Sequence, residues 1–163
     1  AIRRIIVPEN LIEDVQIALG EQLDNVTIGD PRLKEVRMGA LVTKEQRESV
    51  YSQVKEITKT ADIVYGDFDE AQTIGENTKG GSFIKPILLR EDNPLKNEAA
   101  HITEAFGPVS TLMPYKDLDE AIQLSKMGKG SLVSSIVTND NKIATDYTVS
   151  AATHRGRILA LNR

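Results

Sequence analysis

The feature that most constrains how this chain can fold is an alternation of strand-like and helix-like segments. It is clearest over residues 109–161, where β-branched and apolar runs alternate with stretches that place apolar residues at helical spacing. Parallel strands need a crossover connection between them, and that connection is usually a helix. The pattern therefore predicts an α/β fold with a mostly parallel sheet and helices on both faces.

The individual elements follow from local signals. Residues 5–7 are expected to form a strand that Pro8 ends, and Asn10 with Glu13 resembles the capping box of a following helix. Thr43 with Gln46 repeats the capping pattern and predicts the start of a second helix, and Pro86 would place the extended segment 83–89 at a sheet edge or a bulge. The other predicted elements are loops at 29–31 and 67–81, strands at 62–65, 109–113, 132–137 and 157–161, and helices begun by Asp117 and by Asn139 or Asp140.

Length and charge exclude several classes of protein. The chain has 163 residues, 40% of them hydrophobic, which suits one compact domain with a real core. The net charge of −4 argues against a nucleic-acid partner, and the short basic cluster at 154–157 is more typical of a solvated turn. No apolar run approaches a membrane span and no signal peptide is present, so we expect no membrane partner and a cytoplasmic location.

The absence of cysteine restricts the chemistry. It removes disulfides, thiolate metal sites and a thiol nucleophile, while the two histidines, His101 and His154, are too far apart for a histidine-rich zinc site. The acidic residues around Asp117 are better explained by a helix start than by a cation, so no metal site is predicted. A thiol-free hydrolase built on His101 lacks a serine or carboxylate partner at any recognisable spacing.

Glu104 is the polar residue that most suggests a binding role. It directly precedes a Phe-Gly-Pro turn that leads into a predicted strand. A carboxylate on a loop above a parallel sheet can accept hydrogen bonds from sugar hydroxyls. On the residues alone, the plainer alternative of a surface glutamate beside a turn is favoured. By contrast, the glycine-containing residues 128–131 precede a strand instead of opening a helix, so they predict a turn and not a phosphate loop.

A resemblance to a known family favours the binding role of Glu104 over that of a surface glutamate. Residues 104–109, Glu-Ala-Phe-Gly-Pro-Val, resemble the Glu-x-Phe-Gly-Pro-Val motif of aldehyde dehydrogenases. Four further segments resemble family motifs in the same order, namely residues 29–31 (Gly-Asp-Pro), 38–42 (Met-Gly-Ala-Leu-Val), 120–122 (Glu-Ala-Ile) and 156–162 (Gly-Arg-Ile-Leu-Ala-Leu-Asn). Together they cover essentially the whole chain, which is therefore identified as a member of the aldehyde dehydrogenase superfamily.

The resemblance implies roles for two residues and a place for others. Glu104 is expected to bind the nicotinamide ribose of NAD or NADP, and Phe106 to pack beside the nicotinamide. We accordingly expect Glu104 on an exposed loop at the carboxyl edge of the sheet, with its carboxylate free of a protein salt bridge. The family's cysteine nucleophile would lie about two residues upstream of Ala1, so this chain would itself supply no catalytic residue.

The same resemblance implies a domain organisation and a reaction. Residues 1–163 would form a single, incomplete catalytic domain, with the nucleotide-binding domain and the C-terminal tail absent. The intact protein would oxidise an aldehyde to the acid through a cysteine thioester, with NAD or NADP as cofactor, as a homo-oligomer. The chain alone is expected to be inactive and to hold no cofactor.

A finer resemblance comes from departures within the motifs. Thr103 and Ala105 replace the family's commoner glutamate and bulky apolar residue, and Ala40 replaces a proline. These segments are similar to the dehydrogenase half of the bifunctional ring-opening enzymes of phenylacetate breakdown, which implies a CoA-linked semialdehyde as the substrate. The alternative is a non-enzymatic binding or interaction module of the same fold, and a cysteine codon just upstream of Ala1 would decide between the two.

Overall fold

The structure, a computed structural model, describes residues 2–76 and 78–162. Strands and helices alternate along most of the chain, as the sequence predicted. The strands are β1 (Arg4–Pro8), β2 (Asp62–Tyr65), β3 (Ile87–Arg90), β4 (Val109–Tyr115), β5 (Ser131–Val137) and β6 (Arg155–Leu161). The helices are α1 (Ile12–Asp24), α2 (Lys44–Ile57), α3 (Ala99–Ile102), α4 (Leu118–Lys126) and α5 (Asn141–Ala151). Over the described ranges, none of the helices is both long enough and apolar enough to span a bilayer.

The strands form a main sheet and a smaller one. The main sheet has the order β1-β4-β3-β2, in which β1 and β3 run parallel to β4 and β2 runs antiparallel to β3. β5 and β6 pair in parallel with each other as a separate two-stranded sheet. The predicted mostly parallel α/β architecture is confirmed, although the sheet is divided in two.

Helices cover both faces of the main sheet, also as predicted. The alternation of side chains along β3 sends Leu88 to one face and Leu89 to the other. Leu88 packs with the apolar stripe of α1, and Leu89 packs with that of α2. A fully buried aliphatic side chain of this kind contributes about 1.5–3 kcal/mol. The two layers therefore hold β1, β3 and β4 rigidly in the middle of the molecule.

The predicted caps of the later helices are present. The side chain of Thr43 accepts a hydrogen bond from the backbone N–H of Gln46 at the start of α2. Asp117 accepts from the backbone N–H of Glu120 at the start of α4. Of the two candidates for the cap of α5, Asp140 is the one that accepts from the first turn of the helix.

The predicted capping box at Asn10 is wrong. The segment Glu9–Leu11 forms a 3-10 turn, and α1 begins only at Ile12 without a side-chain cap. The turn delays the helix by one residue and makes Leu11 its N-cap, so Asn10 does not occupy the position from which a side chain can cap. Glu13 pairs instead with Arg90 of β3, at 2.5 Å.

The position predicted from Pro86 is also wrong. β3 lies inside the sheet, between β2 and β4, and the irregularity in its pairing with β2 falls between Ile63 and Tyr65. β3 begins at Ile87, whose backbone N–H donates a hydrogen bond to the carbonyl of Pro108. Pro86 therefore precedes the ladder and removes no hydrogen bond from it. The missing donor of a proline constrains a strand only where the proline lies within the paired segment.

The short helix α3 was not predicted. It occupies the connection that returns from the carboxyl end of β3 to the amino end of β4. Its residue His101 is only 1% exposed, and its last residue, Ile102, is 56% exposed. The helix thus anchors this connection in the interior and brings the segment that contains Glu104 to the surface.

Candidate functional site

The candidate site lies at the amino ends of the parallel strands. Arg3 directly precedes β1, and Glu104 lies on the loop that precedes β4. Because β1 and β4 are parallel neighbours, with Arg4 paired to Thr111, these two positions meet at the same edge of the sheet. The predicted location of Glu104 at the carboxyl edge is wrong, since its loop enters β4 and does not leave it.

The carboxylate of Glu104 is exposed but not free. Its side chain is 59% exposed, which confirms the predicted exposure. Arg3 Nη1 donates to Glu104 Oε1 at 2.6 Å, and Arg3 Nη2 donates to the carbonyl of His101 at 2.9 Å. The prediction that Glu104 makes no salt bridge is therefore wrong, because the pairing of β1 with β4 brings in a cation from 101 residues away. No hydrogen bond from the described residues reaches Glu104 Oε2.

The loop that follows Glu104 presents its residues alternately outward and inward. Phe106 is 69% exposed, whereas Ala105 packs against the main core. Gly107 approaches α2 so closely that a Cβ atom there would lie 2.9 Å from Val50 Cγ2. A side chain at this position would push the loop away from α2. The inward residues thus fix the loop, and Glu104 and Phe106 remain available on its outer side.

Gln46 is a site residue whose role the sequence did not reveal. Its spacing from Thr43 predicted a capping box, in which its side chain would return to the start of α2. The Nε2 group of Gln46 instead donates to the carbonyl of Phe106 at 2.6 Å. This bond ties the loop to α2 across 60 residues of sequence. No local pattern carries such a signal.

A groove of about 540 Å³ opens beside this loop. Its walls include two exposed apolar side chains, Ile102 and Phe106. Most of its remaining lining is polar or charged and consists of Arg3, Gln53, His101, Glu104 and Lys129. Small-molecule sites are concave and combine apolar walls with polar groups that fix the orientation of the ligand. The groove therefore has the size and the mixed lining to hold part of an organic ligand.

His101 is buried beneath the groove and takes no part in proton transfer there. Its Nε2 lies 2.8 Å from the carbonyl of Pro94, and its Nδ1 lies 2.8 Å from Arg4 Nη1. A carbonyl only accepts and a guanidinium only donates, so the neutral ring carries its proton on Nε2. Burial is the main cause that lowers the pKa of His101, and the charges of Arg4 and Arg3 lower it as well. Because both ring nitrogens are engaged, His101 cannot serve as the base of a hydrolase.

Arg4 fixes the start of β1 against two helices. Besides its bond to the histidine of α3, it donates to the carbonyls of Leu124 and Ser125 near the end of α4. Burial, and after it the nearby charges of Arg3 and Arg155, lower the pKa of Arg4 to about 10. The guanidinium remains charged at neutral pH, and three groups from distant parts of the sequence hold it in place. The neighbouring Arg3 therefore projects from a rigid strand.

The other polar clusters singled out in the sequence serve local structure. Asp117 caps α4, and residues 128–130 connect α4 to β5, with Lys129 in the left-handed region at φ 52°. Within residues 2–76 and 78–162, no three acidic or histidine side chains are grouped so that they could hold a metal ion. The basic cluster at 154–157 is not merely a solvated turn, because Arg155 is half-buried and donates to the carbonyl of Ser125.

Comparison with known proteins identifies the family of the chain. The model of the aldehyde dehydrogenase family matches residues 1–157. The chain belongs to the aldehyde dehydrogenase family. Relatives within it include the 3,4-dehydroadipyl-CoA semialdehyde dehydrogenase of Aromatoleum evansii, which is 29% identical over 99% of this chain and 32% of its own length. Protein MaoC of Klebsiella aerogenes is 40% identical over 77% of this chain and 36% of its own length.

Solved structures of aldehyde dehydrogenases share the fold. Betaine aldehyde dehydrogenase from Staphylococcus aureus in complex with NAD+ superposes with a TM-score of 0.85 at 21% identity, over 96% of this chain and 30% of that one. Aldehyde dehydrogenase C from Pseudomonas syringae, in complex with NAD+ and octanal, gives a TM-score of 0.83 at 23% identity, over 96% of this chain and 31% of that one. This chain thus spans about a third of the length of the family members it matches.

Proposed function

We propose that this chain forms part of an NAD(P)-dependent aldehyde dehydrogenase and that its groove receives the nicotinamide end of the cofactor. The observation that carries the proposal is the outward pair Glu104 and Phe106, on a loop that Gln46, Ala105 and Gly107 fix from below. A fixed loop with an exposed carboxylate and an exposed aromatic ring suits a ligand that has both hydroxyl groups and a flat ring.

Each residue of the site has a role in this proposal. Glu104 accepts hydrogen bonds from the ribose hydroxyls, each contributing about 1.5–3 kcal/mol because the acceptor is charged. Arg3 holds the carboxylate in one orientation, so less freedom is lost when the ribose binds. Phe106 provides an apolar wall for the nicotinamide ring. NAD(P)+, when bound, supplies the acceptor for the hydride that leaves the substrate.

The proposed reaction converts an aldehyde, water and NAD(P)+ into a carboxylic acid, NAD(P)H and a proton. It needs a thiol nucleophile, and the 163 residues contain no cysteine. We therefore propose that a longer protein supplies the nucleophile just before Ala1, together with a nucleotide-binding domain. In that protein this chain contributes the sheet beside the nucleophile and the residues that orient the nicotinamide.

The substrate we propose is a CoA-linked semialdehyde formed during aromatic breakdown in the cytoplasm. Support comes from the Aromatoleum evansii relative, whose name specifies a CoA-linked semialdehyde, and from the departures at Ala40 and Thr103 noted above. A comparison of kcat/KM for a CoA-linked semialdehyde and for the free semialdehyde acid would test this choice. We expect a preference for the CoA-linked form, and an equal or reversed preference would reject it.

The test of the cofactor site is the variant Glu104→Gln in the intact protein. It removes the charge and keeps the shape, so we expect the KM for NAD(P)+ to rise roughly tenfold, with an unchanged unfolding temperature. The matched control is Glu56→Gln, because Glu56 is similarly exposed at 53% and is also paired with a cation, Lys59. An unchanged KM and kcat in Glu104→Gln, or an equal effect in Glu56→Gln, would contradict the ribose role.

A further inference from the structure

Gln53 carries a polar atom that has no explanation within the chain. It lies on α2, seven residues after Gln46, and lines the groove together with Glu104 and Phe106. Its Oε1 is buried and has no hydrogen-bond partner among the described residues. A buried acceptor without a partner destabilises the folded chain, because the atom has lost its hydrogen bonds to water. A side chain held in this way at the wall of a groove is expected to find its partner in a ligand.

The other polar groups of the groove cannot take over the role of Gln53. Arg3 and Lys129 only donate hydrogen bonds, and both nitrogens of His101 are already engaged. The groove therefore offers two side-chain acceptors to a ligand, the carboxylate of Glu104 and the amide oxygen of Gln53. Any ligand that satisfies both must present two separate sets of O–H or N–H donors.

The nicotinamide end of NAD(P)+ has two such sets of donors. One is the pair of ribose hydroxyls, and the other is the N–H2 of the carboxamide. Glu104 takes the hydroxyls in the function proposed above, which leaves the carboxamide without a partner. We infer that Gln53 Oε1 accepts the hydrogen bond from the nicotinamide carboxamide, and this inference rests on the proposed cofactor site. Gln53 is then a positioning residue that fixes the rotation of the ring against Phe106.

The test measures affinity in the intact protein with three probes: NAD+, its acetylpyridine analogue, which has no carboxamide donor, and ADP-ribose, which has no nicotinamide. We expect Gln53→Met to weaken NAD+ binding roughly three- to tenfold. Binding of the acetylpyridine analogue and of ADP-ribose should not change. Gln53→Glu retains an acceptor and should keep the preference for NAD+ over the analogue. The control is Gln123→Met, an exposed glutamine on α4, which should alter none of the three.

The outcomes separate this inference from the function on which it rests. Equal weakening of all three probes by Gln53→Met, or no weakening of NAD+, would overturn the role of Gln53. A lower unfolding temperature of the cofactor-free Gln53→Met protein would also overturn it, because the amide would then have a partner within the protein. Glu104→Gln should weaken NAD+ and ADP-ribose alike. If it weakens neither, the proposed ribose site fails, whatever Gln53→Met shows.

Discussion

At the scale of single residues, His101 links the stability of the site to pH. The ring accepts a hydrogen bond from Arg4 and is buried, so protonation would place a second positive charge against the guanidinium. Its pKa in the folded chain is lowered from the ordinary value of 6.5. The unfolded chain therefore binds a proton more readily than the folded chain as the pH falls below about 6.5.

The sign of the effect follows from this difference. Stability from the neutral histidine is complete above the unfolded pKa and is lost as the pH falls from 6.5 through the lower folded pKa. We expect the unfolding temperature to fall on acidification from about pH 7.5 to pH 5. His101→Gln, which carries a donor and an acceptor but does not titrate, should flatten that fall. His154→Gln is the control, and an equally steep fall in both variants would contradict the assignment.

The sequence predicted part of the candidate site because part of it is local. Glu104 and Phe106 lie within six consecutive residues, so a short motif is enough to identify them. Arg3 and Gln46 reach the same loop from 101 and 60 residues away, and only the pairing of β1 with β4 and the packing of α2 bring them there. The location at the amino edge, by contrast, follows from chain order alone, because Glu104 precedes the strand predicted at 109–113.

At the scale of secondary structure, the alternation of strands and helices could be predicted because each long element repeats its own signal. The apolar stripe of α1 recurs over about three turns and that of α2 over about two, and two aspartates cap α4 and α5. The helix α3 has only four residues, so no periodic pattern can recur along it, and it was not predicted. The error at Asn10 has a similar cause, because the same short capping pattern fits a 3-10 turn as well as a helix start.

Substitutions at the cap of α4 and at the wrongly predicted cap of α1 are expected to have different effects on stability. Asp117→Ala removes the acceptor for the N–H of Glu120, so we expect it to destabilise the chain by about 0.5–2 kcal/mol. Asn10→Ala removes no cap and should change the free energy of unfolding by less than about 0.5 kcal/mol. Urea unfolding of the two variants and the unmodified chain measures both values. A larger loss in Asn10→Ala than in Asp117→Ala would contradict the structure at α1.

At the scale of the whole molecule, the small sheet leaves one face uncovered. α4 and α5 pack on the face that carries Ile136 and Ile158. The opposite face presents Val133, Val137, Leu159 and Leu161, which are 43–75% exposed. In the β5–β6 register Val137 lies opposite Leu161, whereas Val133 lies opposite Arg157 and Leu159 lies opposite Ser135. A largely apolar exposed face of this kind favours association with another surface. This observation supports the expected homo-oligomer or the burial of this face by a further domain.

We therefore predict that the 163-residue chain alone self-associates, oxidises no aldehyde and binds no measurable NADP+ at millimolar concentration. The groove contacts only one end of the cofactor, and a few hydrogen bonds do not offset the entropy lost by a flexible dinucleotide. Leu159→Lys should reduce association in light scattering. Leu11→Lys, at a similarly exposed leucine away from this face, should not. Tight NADP+ binding by a monomer would indicate a complete binding module.

The central claim is that Glu104 and Phe106 form the nicotinamide end of a cofactor site. A crystal structure of the intact protein with NAD(P)+ bound tests it most directly. We expect at least one ribose hydroxyl at about 2.5–3.0 Å from the Glu104 carboxylate and the nicotinamide ring against Phe106. A bound cofactor whose nicotinamide ribose lies elsewhere, with the carboxylate of Glu104 still paired only to Arg3, would contradict the account.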